Sequence, residues 1–229
     1  MVAIILWMAV GWSRPCAAES MLFNGKGVIY GGIGAGYYLN RLDGETHSRR
    51  FVFMSSYGLA RWMDVFAQVG IADLGIKELP GRTDFRGEYQ VAVGAGTRVR
   101  LLNLFGSRVV LYGEGSGFRF RSEEKASQRT KAGTIPPREY NWLEGEAVLG
   151  MEFPSIGFYA GSGVWGVQTE PSYLTEYEIY RSGTRWSGFV GKIFPLRANF
   201  RLDVRVTGPE RASIRIALTQ LYQPEEDPF

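Results

Sequence analysis

The 229-residue chain carries one histidine, His47, and one cysteine, Cys16. His47 lies in the run Asp43-Gly44-Glu45-Thr46-His47-Ser48, where acid, imidazole and hydroxyl follow one another. Hydrolytic chemistry needs such groups within hydrogen-bond reach of each other. Neighbours along a chain send their side chains apart, so a solvated loop histidine is expected here, with a hydrolase built on His47 as the alternative. A lone histidine and a lone cysteine exclude a structural zinc site or a disulfide framework within one chain. No metal ligand set is found, and no cofactor is expected. The stretch Gly31-Gly32-Ile33-Gly34-Ala35-Gly36 has the small residues of a phosphate-binding loop, but neither the following helix nor the lysine. It reads as a small-residue strand face.

The other residues that could do chemistry are charges placed at every second position. Glu144, Glu146 and Glu152 fall on one face of a single segment, and Arg98 and Arg100 on one face of another. Arg201, Asp203 and Arg205 share a third segment, Arg215 a fourth, and Lys192 is assigned to the same inward set. On an extended strand alternate residues point the same way. If those faces line a narrow lumen, the charges must be paired or hydrated. The expectation is an acid–base network that fills the interior; a path for small solutes lined by these charges is the alternative.

Strands are what would place them. Period-two alternation recurs along the chain and helix periodicity is scarce. Ile29, Ile33, Ala35, Tyr37 and Leu39 oppose Tyr30, Gly32, Gly34, Gly36, Tyr38 and Asn40. Val91, Val93, Ala95 and Leu101 oppose Gln90, Gly94, Arg98 and Arg100, and Ile214, Ile216, Leu218 and Tyr222 oppose Ser213, Arg215 and Thr219. About ten strands are predicted, at 28–42, 49–60, 64–77, 88–104, 108–122, 141–153, 155–169, 187–196, 198–207 and 212–222, with eight possible if one hairpin is misread. Two strands are ambiguous: in 108–122 Glu114 shares a face with Tyr112 and Phe118, and in 156–169 both faces are mixed, an ambiguity that a bulge swapping the faces midway would resolve. Connections after even strands are short, whereas the long ones, near 78–87, 123–140 and 170–186, follow odd strands. Aromatics at strand ends, among them Tyr37, Tyr57, Trp62, Tyr89, Phe105, Phe153 and Tyr222, suit interfacial girdles.

Composition agrees. Glycine numbers 30 residues, aromatics reach 14% and hydrophobic residues 45%, yet mean hydropathy is only −0.12. Apolar residues spread so evenly fit strands that meet two different solvents. The net charge of +3 is mild and the basic residues are dispersed, which argues against nucleic acid as a partner. Residues 1–12 form an apolar run too short for a membrane helix, and Cys16-Ala17-Ala18 offers small residues for signal-peptidase cleavage before Glu19. The predicted layout is a signal peptide at 1–18, a lead at 19–26, a barrel at 27–222 and a tail at 223–229. The first twelve residues hold no Lys or Arg, and an N-terminal anchor is the alternative.

With its Gly-rich first strand, its repeated Gly/aromatic alternation and a final strand Ala212-Ser213-Ile214-Arg215-Ile216-Ala217-Leu218-Thr219-Gln220-Leu221-Tyr222, the chain resembles the small outer-membrane β-barrel proteins of Gram-negative bacteria, the class of opacity-type and OmpA-like barrels. The resemblance implies an all-β, antiparallel, up-and-down transmembrane barrel with its long loops outside the cell, in contact with outer-membrane lipid. It implies that Ile214, Ile216, Leu218 and Tyr222 form the signal read by the barrel-assembly machinery, although Gln223 to Phe229 follow it. The resemblance is to an architecture, not to one function; with no catalytic set in the sequence, the role expected is structural, adhesive or narrow passage of small solutes. A soluble periplasmic barrel with an apolar ligand inside is a further alternative; it requires Val91, Val93 and Val204 inside and Arg98 and Arg205 outside.

Overall fold

The computed structural model describes residues 20–41, 45–77, 84–124, 128–130, 133–135, 137–171, 180–181, 185–197 and 199–222. The expected signal peptide and the tail at 223–229 lie outside the described residues. Ten strands form the wall: β1 (Ile29–Arg41), β2 (Glu45–Ala60), β3 (Met63–Ala72), β4 (Gln90–Leu104), β5 (Val109–Glu123), β6 (Glu139–Phe153), β7 (Phe158–Pro171), β8 (Arg185–Pro195), β9 (Phe200–Gly208) and β10 (Arg211–Tyr222). Each pairs antiparallel with its sequence neighbours, and β1 also pairs with β10, so the sheet closes on itself. A closed ring leaves no strand edge to satisfy. Following cross-strand partners once around the ring shifts the chain by roughly a dozen residues, the stagger that tilts strands in a barrel of this size.

The side chains segregate as alternation requires. Ile33, Val91 and Leu149 are 64%, 68% and 65% exposed on the outer wall, joined there by Phe51, Phe53, Val69, Leu143, Val190, Val206, Ile214 and Ile216. The inner face buries Arg50, Glu114, Glu144, Glu152, Arg205 and Arg211. An apolar exterior around a charged interior inverts a soluble protein and is the arrangement of a transmembrane barrel. Val91 and Val93 therefore face outward while Arg98 and Arg205 face inward, opposite to the soluble-barrel alternative. Tyr37, Tyr57, Trp62, Tyr89, Phe105 and Tyr222 are exposed on the outside.

Several details differ from the sequence expectation. The stretch 64–77 is not one strand. β3 ends at Ala72, and Gly75–Lys77 turns away to pair with the start of β2 and with Phe85–Arg86. The start of β2 lies at Glu45, which takes His47 out of the expected first loop. β5 keeps one face inward throughout: Val110, Tyr112, Glu114, Phe118, Phe120 and Ser122 are all buried. Its aromatics fill the lumen, so no face swap is needed. The register shifts instead lie near the short-turn end, at Gly58/Ala60 and at Arg100/Leu102, where both Leu101 and Leu102 reach the outside.

Candidate functional site

The lumen is filled in three layers. The middle layer is a chain of ion pairs. Arg50 of β2 donates through Nη1 and Nη2 to the two carboxylate oxygens of Glu144 on β6, at 2.8 and 2.7 Å. Glu144 also accepts from Arg211 Nη2 at 2.7 Å and from Trp142 Nε1 at 3.1 Å. Arg211 Nη1 reaches Glu146 at 2.9 Å, and Arg205 bridges Glu146 at 3.0 Å to Glu114 at 3.2 Å. Arg98 ends the chain on Glu114, through Nε at 2.8 Å and Nη2 at 2.6 Å. Aromatic faces cover the guanidinium groups: the Arg50 carbon lies 3.9 Å from the Tyr38 ring centroid and 4.4 Å from that of Phe118, and Arg205 lies 4.1 Å from Phe189. Each charge thus trades hydration for bidentate or shared hydrogen bonds and a π-face, which is what keeps buried ions tolerable. Arg215 pairs with Asp203 at 3.5 Å, and Tyr159 donates to Asp203 at 2.6 Å.

Towards the long-loop end, the lumen is capped by an apolar cluster. Phe118, Phe120, Trp142, Trp165 and Val167 of the wall pack with Leu74 and Phe85, which fold in from the connection between β3 and β4. Phe85 meets Tyr140 edge-on at 4.6 Å.

At the short-turn end, residues 20–28 enter the barrel. The backbone N–H groups of Met21 and Leu22 both donate to Glu152 Oε1, at 2.6 and 3.0 Å, and Ser20 donates to the same carboxylate. Asn24 donates its N–H to Asp64 at 3.1 Å and its amide to Ser56 at 2.7 Å. Arg98 donates to the Leu22 carbonyl at 2.8 Å, and Arg201 to the Met21 carbonyl. Phe23 packs edge-on against Tyr112 at 6.4 Å, beneath Arg100 at 4.9 Å. Leu22 and Phe23 join Val110, Tyr112, Val148, Tyr159, Phe189 and Ile193 in a second buried cluster. A gap of about 80 Å³ lies between lead and ion-pair layer, and one of about 50 Å³ lies within the ion-pair layer beside Arg50, Glu144, Glu146 and Arg211.

Of the residues expected in the lumen, Arg98, Glu114's partner Arg205, Glu144 and Glu146 come together in the ion-pair chain. Asp203 and Arg215 form the neighbouring pair. Glu152, Arg100 and Arg201 hold the lead. Lys192 does not join them. The β8 face that points inward carries Ser187, Phe189, Gly191 and Ile193. Lys192 stands on the other face with Phe194, whose ring centroid is 5.3 Å from its Nζ. The register is set by Gly191, where a Cβ would meet the Tyr159 ring at 2.2 Å. Sequence reasoning missed Arg50, Glu114, Arg211, Asp64 and the lead. Arg50 and Asp64 lie on strands whose faces carried no strong alternation, and Arg211 precedes the expected start of its strand by one residue. Extending the Ser213/Arg215 parity backward would have found it.

His47 is on the outer wall, stacked on Tyr37 with ring centroids 6.5 Å apart, while Ser48 is fully buried on the inner face. The two side chains leave opposite sides of β2, so they do not form a catalytic pair. Among the described residues no group of His, Cys, Asp and Glu is placed to hold a metal ion.

No protein-family model matches the chain, and no curated protein matches it. Several solved structures are similar to it over most of its length. The translocator domain of the autotransporter NalP from Neisseria meningitidis has a TM-score of 0.48 at 12% identity, covering 86% of this chain and 90% of that one. An outer membrane channel from Pseudomonas putida F1 has a TM-score of 0.43 at 9% identity, covering 92% and 100%. Ail, the attachment invasion locus protein of Yersinia pestis, has a TM-score of 0.30 at 12% identity, covering 86% and 99%.

Proposed function

We propose that this chain is an integral outer-membrane β-barrel with a closed lumen, serving envelope structure or adhesion through its long connections rather than passage of solutes. The observation that carries the reading is the pairing of an apolar outer wall with an interior occupied along its length. Aromatic caps, ion pairs and the chain's own lead succeed one another along the axis. A transport path would need a continuous polar gap, whereas the gaps at the lead and in the ion-pair layer, about 80 and 50 Å³, each hold only a few water molecules. The outward residues Ile214, Ile216, Leu218 and Tyr222 of β10 support a role for that strand in recognition by the assembly machinery.

Catalysis has little support in this reading, because His47 faces away from Ser48, Glu114, Glu144 and Glu146 are committed to arginines, and Glu152 and Asp64 accept backbone amides of the lead. Fractionation of cells expressing the full chain tests the proposal. The protein is expected in the outer membrane, released only by detergent, with gel mobility that changes on heating. Recovery from the soluble periplasm without detergent would refute it.

A further inference from the structure

Outside the lumen, a groove of about 430 Å³ lies on the outer wall at the long-loop end. The short pair Gly75–Lys77 and Phe85–Arg86 builds it by extending the sheet beyond the end of β3. Tyr37, His47, Arg49 and Arg86 line it. Gly75 is required at its floor, since a Cβ there would meet the His47 ring at 2.2 Å.

Arg49 is held in a fixed pose. Buried Asp73 accepts its backbone N–H at 2.6 Å and its Nε at 2.7 Å, and contacts Nη2 at 2.5 Å. Those bonds leave Nη1 for a ligand, and the side chain stays 57% exposed. Its guanidinium also lies 5.4 Å from the Tyr89 ring centroid. Arg86 supplies a second exposed cation from the other side. A pre-oriented guanidinium beside a second one suits the oxygens of a phosphate.

The position says what kind of phosphate. Phe51 follows Arg49 by two residues on the same face, and Phe51, Ile71 and Val91 are cross-strand partners exposed on the wall. An occupant of the groove therefore has polar contacts at one end and an apolar wall directly beneath. We propose that the groove seats the phosphate headgroup of a lipid, with Arg49 and Arg86 as donors, Tyr37 and His47 packing the headgroup, and the acyl chains running down over Phe51, Ile71 and Val91. The inference rests on the membrane-barrel reading above.

Native mass spectrometry of the detergent-folded barrel, with phosphatidic acid and with diacylglycerol of the same chains as probes, tests it. The wild type is expected to retain phosphatidic acid, and both diacylglycerol and the Arg49→Gln/Arg86→Gln variant are expected to show more than tenfold lower occupancy. Arg86→Gln alone leaves the Arg49–Asp73 pair intact and is expected to lower occupancy several-fold, which gives an answer if the double variant fails to fold. Equal retention by the variants, or of both lipids, would overturn the proposal. Displacement of the lipid by millimolar inorganic phosphate would overturn the lipid assignment in favour of a free-anion site. Heat-modifiable mobility of each sample reports separately on the barrel.

Discussion

Arg50 and Glu144 meet in a two-bonded pair across the lumen, from strands β2 and β6 that lie four apart around the ring. Both side chains are almost fully buried, at 5% and 7% exposure. The pair therefore braces opposite sides of the wall, and Arg211 extends the brace to β10 through the same carboxylate.

Removing one member should be costly. Glu144→Ala leaves Arg50 and Arg211 without their shared acceptor, and a loss of about 3–5 kcal/mol is expected for orphaning buried charge. Replacing Arg50, Glu144 and Arg211 together by apolar residues of similar volume should cost much less, because no ion is left unpaired. Urea unfolding of the refolded barrel in lipid vesicles measures both. Equal losses would show that packing, not charge pairing, sets the cost.

The lead depends on one carboxylate. Glu152→Ala removes the acceptor of the Met21 and Leu22 amides and of Ser20. Hydrogen exchange should then speed up at least tenfold at residues 21 and 22 while the β6 amides stay protected. Unchanged exchange at those residues would mean that Arg98, Arg201 and the packing of Phe23 hold the lead without Glu152.

The outer wall predicts opposite effects for two substitutions. Leu149→Arg places a cation on the lipid-facing surface and should destabilise the barrel by roughly 2–4 kcal/mol if it lies near the bilayer midplane. Lys192, paired across strands with Phe158 and Val204, is a cation already on that face. It lies near the short-turn end, so Lys192→Leu should raise stability by about 1 kcal/mol or less. The same vesicle-based unfolding reads both, and a stabilising Leu149→Arg would contradict the membrane-facing assignment.

Beyond the end of β5, Glu124 accepts hydrogen bonds from Arg138 at 3.1 and 2.6 Å, tying the two ends of the 124–138 connection together. Burial opposes ionisation of Glu124, but the hydrogen bonds and charge of Arg138 prevail and hold its carboxyl below the usual carboxylate range. A carboxyl depressed in the folded state adds stability above its unfolded value, near 4.5, and loses that contribution as pH falls through the lower folded value. Proteolysis of the 124–138 connection by an acid-active protease should therefore accelerate below about pH 4.5 in the wild type. Glu124→Gln should be cleaved quickly at every pH, and a flat wild-type profile would count against the tie.

Much of this was legible in the sequence. Strong alternation fixed both faces of β1, β4, β6, β9 and β10, because each of those strands separates aliphatic from charged or glycine positions. β5 resisted that reading because its inner face mixes Glu114 with Phe118 and Phe120. In a barrel the interior takes aromatics as readily as charges when they cover arginines, so polarity alone does not tell the faces apart there. Lys192 misled for the complementary reason: a lone cation in an apolar strand looks inward-facing until Gly191 is seen to make room for Tyr159. The entry of the lead was not legible, since its anchors are mainly backbone groups that any sequence carries.

The most direct test of the closed lumen is single-channel recording of the refolded wild-type barrel in planar lipid bilayers. Insertion without stable conductance steps is the predicted result, because the aromatic cap, the ion-pair chain from Arg50 to Arg98 and the lead held by Glu152 obstruct the axis in series. Reproducible, long-lived ohmic steps from the intact protein would contradict it.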